Sequence, residues 1–237
     1  SVEQPRADGT APMVLDLGCG LGHSTAMMHS FFPNMSYVAA EPDYVNLHLL
    51  RRYFVPDAMC VCVDAELPLP FGDHQFDAVF CLDAFHYIRS KWALLRELER
   101  VVDDRGVWMF AHLHNASASN MSPGIPLVAA QYRRLFGSLQ VVMLDEADVL
   151  STFMKEQVLD LTSPPDPAHL ERAAAFCIVG SRHTLVGGRH HFGERITDTT
   201  SGGPIGFNPI YRVVGHGSTT RLELEWPDAQ LELESSA

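Results

Sequence analysis

The stretch VLDLGCGLGHST, residues 14–25, decides the fold: an apolar run over 13–17 flows into three glycines spaced two apart, Gly18, Gly20 and Gly22. The run predicts a short buried strand, and residues 23–32 predict a helix that opens at the glycine turn. Glycines there let the backbone approach a ligand closely, and the helix start offers unpaired N–H groups. A nicotinamide-dinucleotide fingerprint would need glycine three residues after the second one, where His23 stands. The stretch also lacks the lysine of a P-loop.

Outward from this point the strand-then-helix step recurs. SYVAAE (36–41) predicts a strand, YVNLHLLRRYF (44–54) a helix and AMCVCV (58–63) a third strand. FDAVFCL (76–82), KWALLRELERVV (91–102) and GVWMFAHL (106–113) read as strand, amphipathic helix and strand. Helices are expected at 126–136 and 145–154, and VLDLT (158–162) and AAFCIVGSR (174–182) complete a count of seven strands. The expected fold class is α/β, a seven-stranded, doubly wound, Rossmann-like and mostly parallel sheet covered on both faces. After Arg182 the chain turns Gly- and His-rich, and IYRVV and TRLELEW around GHGST predict a small C-terminal β-hairpin. The expected organisation is one domain over 1–182 and an extension over 183–237, serving as lid, dimer contact or joint to a neighbouring domain.

The net charge of -12, from 29 acidic and 17 basic residues, argues against a nucleic-acid partner, because phosphate binding needs clustered Lys and Arg. The basic doublets Arg51-Arg52 and Arg133-Arg134 suit solvated helix faces. No apolar stretch reaches membrane-spanning length and no charged-then-apolar leader opens the chain, so a cytoplasmic location without a membrane partner is expected. Five cysteines (Cys19, Cys60, Cys62, Cys81, Cys177) fall mostly in apolar runs, as free thiols of a reducing compartment do. Cys60 and Cys62 share one face of an extended chain and are expected to pack in the core. The chain begins at Ser1, so a module of a larger polypeptide is expected as readily as a homodimer.

Four landmarks in order make the chain resemble class I S-adenosylmethionine-dependent methyltransferases over roughly residues 12–182. Asp16, Gly18, Gly20 and Gly22 match that family's hydrophobic-Asp-hydrophobic-Gly-x-Gly-x-Gly turn. Glu41, followed by Pro42 in VAAEPD, matches the acidic residue that ends the second strand, and the resemblance implies that it takes the ribose hydroxyls. Asp64-Ala65 matches the pair that brackets adenine, and Cys81-Leu82 in VFCLDAFHYI matches the segment beside the methionine moiety. The implied cofactor is S-adenosyl-L-methionine, leaving S-adenosyl-L-homocysteine as product. The chain's own spacing agrees: Glu41 lies 23 residues beyond Gly18, one helix and one strand later, at the same sheet edge. Other roles stay open. Glu41 could cap the helix near Tyr44, and Asp64 could be a plain turn residue. Asp16 either holds the turn by accepting backbone N–H bonds or meets the ligand's amino group.

Methyl transfer from a sulfonium is an in-line displacement with a good leaving group, so alignment dominates. A hydroxyl acceptor also calls for a general base, and His suits neutral pH. His86, past the fourth strand, and His112 and His114, ending the fifth, are the candidates, with Asp83 and Tyr87 behind them. Each histidine could instead be a packed structural residue. The inserts 84–90 and 115–157 carry Phe85, Tyr87, Met121, Tyr132 and Phe136, which suit a neutral or partly apolar small molecule, such as a natural-product intermediate or sugar, or else simply form helix core. No metal is expected. Nothing matches the catechol-type metal tetrad, and His183, His190 and His191 read as loop. Asn208-Pro209-Ile210-Tyr211 resembles the Asn-Pro-Pro-Tyr sequence of amino-methylating relatives but follows the wrong strand. The expected function is small-molecule O-methylation, with N- or C-methylation or a non-catalytic partner subunit as alternatives.

Overall fold

The computed structural model describes residues 6, 9–119, 124–162, 165–183, 187–192, 211–214 and 221–224. Val14 to Leu17 of β1 (Met13–Leu17) are all buried, because the strand is covered on both faces. The predicted alternation follows: α1 (His23–Phe31), β2 (Ser36–Glu41), α2 (Tyr44–Leu49), β3 (Met59–Cys62), β4 (Phe76–Leu82), α3 (Lys91–Val101) and β5 (Val102–His114). α2 runs on into a π-helical turn over Leu50–Phe54. Beyond β5 come α4 (Ala129–Leu135), β6 (Gln140–Asp145), α5 (Glu146–Glu156), β7 (Val158–Asp160), α6 (Pro167–Leu170), β8 (Ala175–Ser181) and β9 (Arg189–His191).

Seven strands form one sheet in the order β3-β2-β1-β4-β5-β8-β6. β1 to β5 are parallel, and β8 runs opposite to both β5 and β6. The chain builds outward from β1 to β3, then crosses to the other side of β1 with β4. That reversal opens a crevice at the carboxyl ends of β1 and β4. On one face the rings of Phe85, Phe110 and Phe136 meet at centroid separations of 5.0, 5.6 and 4.9 Å, and α3 adds Leu94, Leu95, Leu98 and Val101. Strand alternation turns Ala39 to the other face, where Leu47, Leu50, Val55 and Ala58 cover it.

The strand count stands, but its membership differs from the sequence reading. Gln140–Asp145 takes a place in the sheet, while Val158–Asp160 pairs with Arg189–His191 in a separate ribbon. A four-residue apolar run such as Val141–Leu144 carries too few periods to separate strand from helix, and tertiary pairing decided it. β3 is an edge strand, so only Cys60 packs toward the core and Cys62 is exposed, against the expectation for the pair. All five cysteines are free thiols.

The chain divides into two compact units, Ser1–Arg195 and Ile196–Ala237. The ribbon strand β9 belongs to the first. In the second, β10 (Tyr211–Val214) and β11 (Arg221–Leu224) pair antiparallel, the hairpin expected from the sequence. Among the described residues no helix is long and apolar enough to cross a membrane.

Candidate active site

A cleft of about 340 Å³ opens at the crevice. Its walls are Leu17 and Gly18 from the end of β1, Ala40, Glu41 and Pro42 from β2, Val63, Asp64 and Ala65 after β3, and Cys81, Ala84, Tyr87 and Ile88 around the end of β4. The glycine turn is shaped by contact as well as by dihedral angle. Gly18 has φ +72, and a Cβ there would fall 2.4 Å from the Cβ of Ala84, so glycine lets β1 close against the loop after β4. Gly22, the N-cap of α1 at φ +86, has Leu50 where its Cβ would be, 2.3 Å from Cγ.

Two carboxylates brace the turn. Asp16 is fully buried, and its Oδ2 accepts hydrogen bonds from the hydroxyls of Ser24 (3.0 Å) and Thr25 (2.6 Å) in the first turn of α1. Burial pushes its carboxyl up to about 6. Glu41 accepts from the Gly20 N–H through Oε2 (3.1 Å) and from the Asn46 amide through Oε1 (3.3 Å), tying β2 to the glycine loop. Asp64 accepts from the Glu66 N–H (2.9 Å), an Asx turn that fixes the far wall.

At the ends of β4 and β5 three imidazoles surround one carboxylate. Nε2 of His86, His112 and His114 lies 3.8, 3.9 and 3.7 Å from Asp83 Oδ1. The backbone is bent to achieve this: Asp83 and His112 adopt φ +53 and +54, and the pairing of β5 with β8 slips between Phe110 and Leu113. His112 is held by Glu146, whose Oε2 lies 2.6 Å from Nδ1 and whose Oε1 accepts from the His112 N–H (3.1 Å). His86 is buried, its ring stacked on His114 at 4.3 Å, and desolvation with the neighbouring His114 lowers its pKa to about 4. It is therefore neutral at pH 7. Lys91 clamps the segment beneath, its Nζ donating to the carbonyls of His86 (3.3 Å), Ile88 (2.5 Å) and Ile125 (2.8 Å).

Residues 15–110 match the family described as Methyltransferase domain. This part of the chain is similar to methyltransferase domains. The malonyl-[acyl-carrier protein] O-methyltransferase of Legionella pneumophila is 30% identical to it over 101 residues, 42% of this chain and 36% of that protein. The 2-methyl-6-phytyl-1,4-hydroquinone methyltransferase of Synechocystis sp. is 30% identical over 100 residues, 41% of this chain and 31% of that protein. The chain thus spans about a third of the length of these relatives. Among solved structures, a chain in the Haloferax volcanii complex of the Trm112 methyltransferase activator superposes with a TM-score of 0.57 at 20% identity, over 73% of this chain and 83% of that one. Geranyl diphosphate C-methyltransferase from Streptomyces coelicolor, crystallised with Mg2+, geranyl diphosphate and S-adenosyl-L-homocysteine, gives 0.50 at 16% identity, over 73% of each. These structures share the fold.

Within the matched region, Gly18, Glu41, Pro42, Asp64, Ala65 and Cys81 of the predicted cofactor set line the cleft. Asp16, Gly20, Gly22 and Leu82 stand outside that lining. Asp16 holds the turn through the hydroxyls of Ser24 and Thr25, where the sequence left open backbone N–H groups or a ligand's amino group. The cap of α2 is Asp43, which accepts from Val45 N–H, so that alternative role does not fall to Glu41. The three predicted histidines come together, and Asp83 is their hub. Of the residues expected either to meet the acceptor or to form helix core, Phe85, Tyr132 and Phe136 are core, Tyr87 lines the cleft, and Met121 lies outside the described residues. Asn208 to Ile210 also lie outside them, while His190 and His191 are exposed on β9. Glu146 was not foreseen. It stands 34 residues from His112, and nothing in the local sequence marks the pair.

Proposed function

We propose that the domain transfers the methyl group of S-adenosyl-L-methionine to a hydroxyl oxygen of a small molecule. The observation that carries this reading is the adjacency of a glycine-turn cleft and a histidine cluster on one sheet edge. In this reading Gly18 and its neighbours hold the amino-acid end of the cofactor, Glu41 the ribose and Asp64-Ala65 the adenine. The acceptor oxygen attacks the methyl carbon in line, the C–S bonding pair returns to sulfur, and S-adenosyl-L-homocysteine leaves. The oxygen must shed its proton, and the group around Asp83 is placed to take it. The relatives' names, an O-methyltransferase and a hydroquinone methyltransferase, support oxygen-bearing acceptors.

The deciding experiment is mass spectrometry of an acceptor panel incubated with methyl-labelled cofactor. Label on oxygen of a small molecule is the expected result. Label on nitrogen or carbon, or tight cofactor binding with no transfer to any acceptor, overturns it.

A further inference from the structure

The cluster at the ends of β4 and β5 has the donor set of a metal centre. We propose that Asp83, His112 and His114 bind one divalent first-row transition-metal ion, with Glu146 as the outer partner of His112. This rests on reading the cluster as the acceptor end of the cleft and adds how the acceptor oxygen is held. One ligand atom from each of the three residues lies within 4.8 Å of the others, and both Nε2 atoms are within 3.9 Å of Asp83 Oδ1. A tetrahedral ion with bonds of about 2.1 Å spans ligand pairs about 3.4 Å apart, so the two Asp83–histidine pairs need close by about 0.5 Å or less and the histidine pair by at most about 1.4 Å.

Three further observations point to a ligand. His114 is 9% exposed, yet neither of its ring nitrogens has a hydrogen-bond partner. A neutral imidazole carries one donor and one acceptor, and leaving both buried and unpaired is costly, whereas a cation on Nε2 uses the acceptor. His112 has its Nδ1 on a carboxylate at 2.6 Å, the outer contact that fixes the tautomer and leaves the Nε2 lone pair for a metal. Asp83 and His112 both spend a left-handed backbone to face one another. His86, stacked on His114, positions that ring.

Two imidazoles and a carboxylate suit Zn2+, Fe2+ or Co2+, whereas Mg2+ and Ca2+ take oxygen donors. The exposed sides of Asp83 and His112 leave coordination positions open. An ion held there by Asp83, His112 and His114 would bind the acceptor oxygen and lower the pKa of its hydroxyl, so that the proton could pass to solvent on the exposed side. The other histidine-carboxylate group, Asp145, Asp148 and His169, offers a single imidazole, with His169 Nε2 3.1 and 2.9 Å from the two carboxylates.

The full chain, stripped with chelator, is titrated with Co2+ by visible absorption and with Zn2+ by calorimetry, with Mg2+ as control. S-adenosyl-L-homocysteine is titrated into the metal-free protein in parallel. The expected result is about one Co2+ per chain, displaced by Zn2+, with affinity reduced roughly 10- to 100-fold by Glu146→Gln and abolished by His114→Ala. His169→Ala and the double change His190→Ala, His191→Ala should leave it intact. Absence of binding at about 100 µM metal, equal affinity in His114→Ala, or loss in either control overturns the proposal. If His114→Ala fails to fold, His114→Gln and Glu146→Gln decide the same question. Metal binding without homocysteine-nucleoside binding would refute the cofactor reading alone, and the reverse would refute the metal alone.

Discussion

Replacing Asp16 by Asn should make the protein more stable at alkaline pH and less stable in acid. Asp16 is fully enclosed, Oδ2 carries both hydroxyl contacts, and Oδ1 has no hydrogen-bond partner. Burial is the main cause that raises its pKa from 3.8 to about 6, partly offset by Thr25 and Ser24. At ~1.4 kcal/mol per pH unit, keeping the carboxylate charged in the fold costs about 3 kcal/mol. The sign follows from the folded state holding its proton longer than the unfolded chain. The contribution is fully present below pH 3.8, declines between 3.8 and about 6, and is gone above that. Asp16→Asn removes the charge and keeps an oxygen for the hydroxyls, but places an amide NH2 where Oδ1 lacks a partner, a cost of about 1 kcal/mol. The variant should therefore gain about 2 kcal/mol at pH 8 and lose about 0.5 kcal/mol at pH 4. Urea unfolding at pH 4, 6 and 8, followed by the fluorescence of the buried Trp108, reads this crossing directly. An offset between the two proteins that stays constant across the three pH values would refute the reasoning.

Three other substitutions probe the same edge. Gly22→Ala drives a Cβ into Leu50 at φ +86 and should cost about 2–4 kcal/mol in thermal or urea unfolding, and a loss under about 1 kcal/mol would remove the steric argument. Lys91→Met strands three carbonyls and should cost about 2–4 kcal/mol. Because burial lowers the Lys91 pKa to about 8, its contribution is full above pH 10.5 and lost as pH falls through 8, so the stability slope over that interval should flatten in the variant. Glu41→Gln keeps an acceptor for the Gly20 N–H but loses the charge, and should weaken S-adenosyl-L-homocysteine binding about 10-fold by calorimetry; an unchanged Kd would take Glu41 out of ribose binding.

The cleft was legible in the sequence because main-chain geometry fixes it. One strand, one turn and one helix have nearly constant lengths, so Gly18, Glu41 and Asp64 return to one edge whatever the side chains between them do. Residues whose place depends on packing were not legible. By composition Phe85, Tyr132 and Phe136 fit acceptor contact or helix core alike, because an aromatic ring satisfies either environment, and packing puts all three in the core. Whether 140–145 or 158–160 would join the sheet turned on which strand β8 could reach, a long-range matter absent from either segment. Glu146 became a partner of His112 only through the slipped pairing after Phe110, and no spacing rule encodes a bulge.

Local penalties fall unevenly over the fold, and their placement bears on function. α2, α5 and α6 each begin on an aspartate whose side chain accepts a backbone N–H, so ordinary rules hold there. Among the described residues four non-glycines have left-handed φ. Gln157 simply ends α5, a routine use of that conformation. His74 lies in the turn before β4, but Asp83 and His112 face one another at the ends of β4 and β5. A strained backbone residue costs on the order of 1 kcal/mol or more, and the buried Asp16 charge and the unpartnered His114 ring add to that. Against a total stability of about 5–15 kcal/mol, such a concentration at the ends of β1, β4 and β5 is a large fraction of what the fold can lose. A ligand bound at this edge would offset these costs. Cofactor and metal loading should therefore raise the unfolding temperature additively if they occupy separate parts of this edge, and more than additively if the acceptor cluster and the glycine turn order each other.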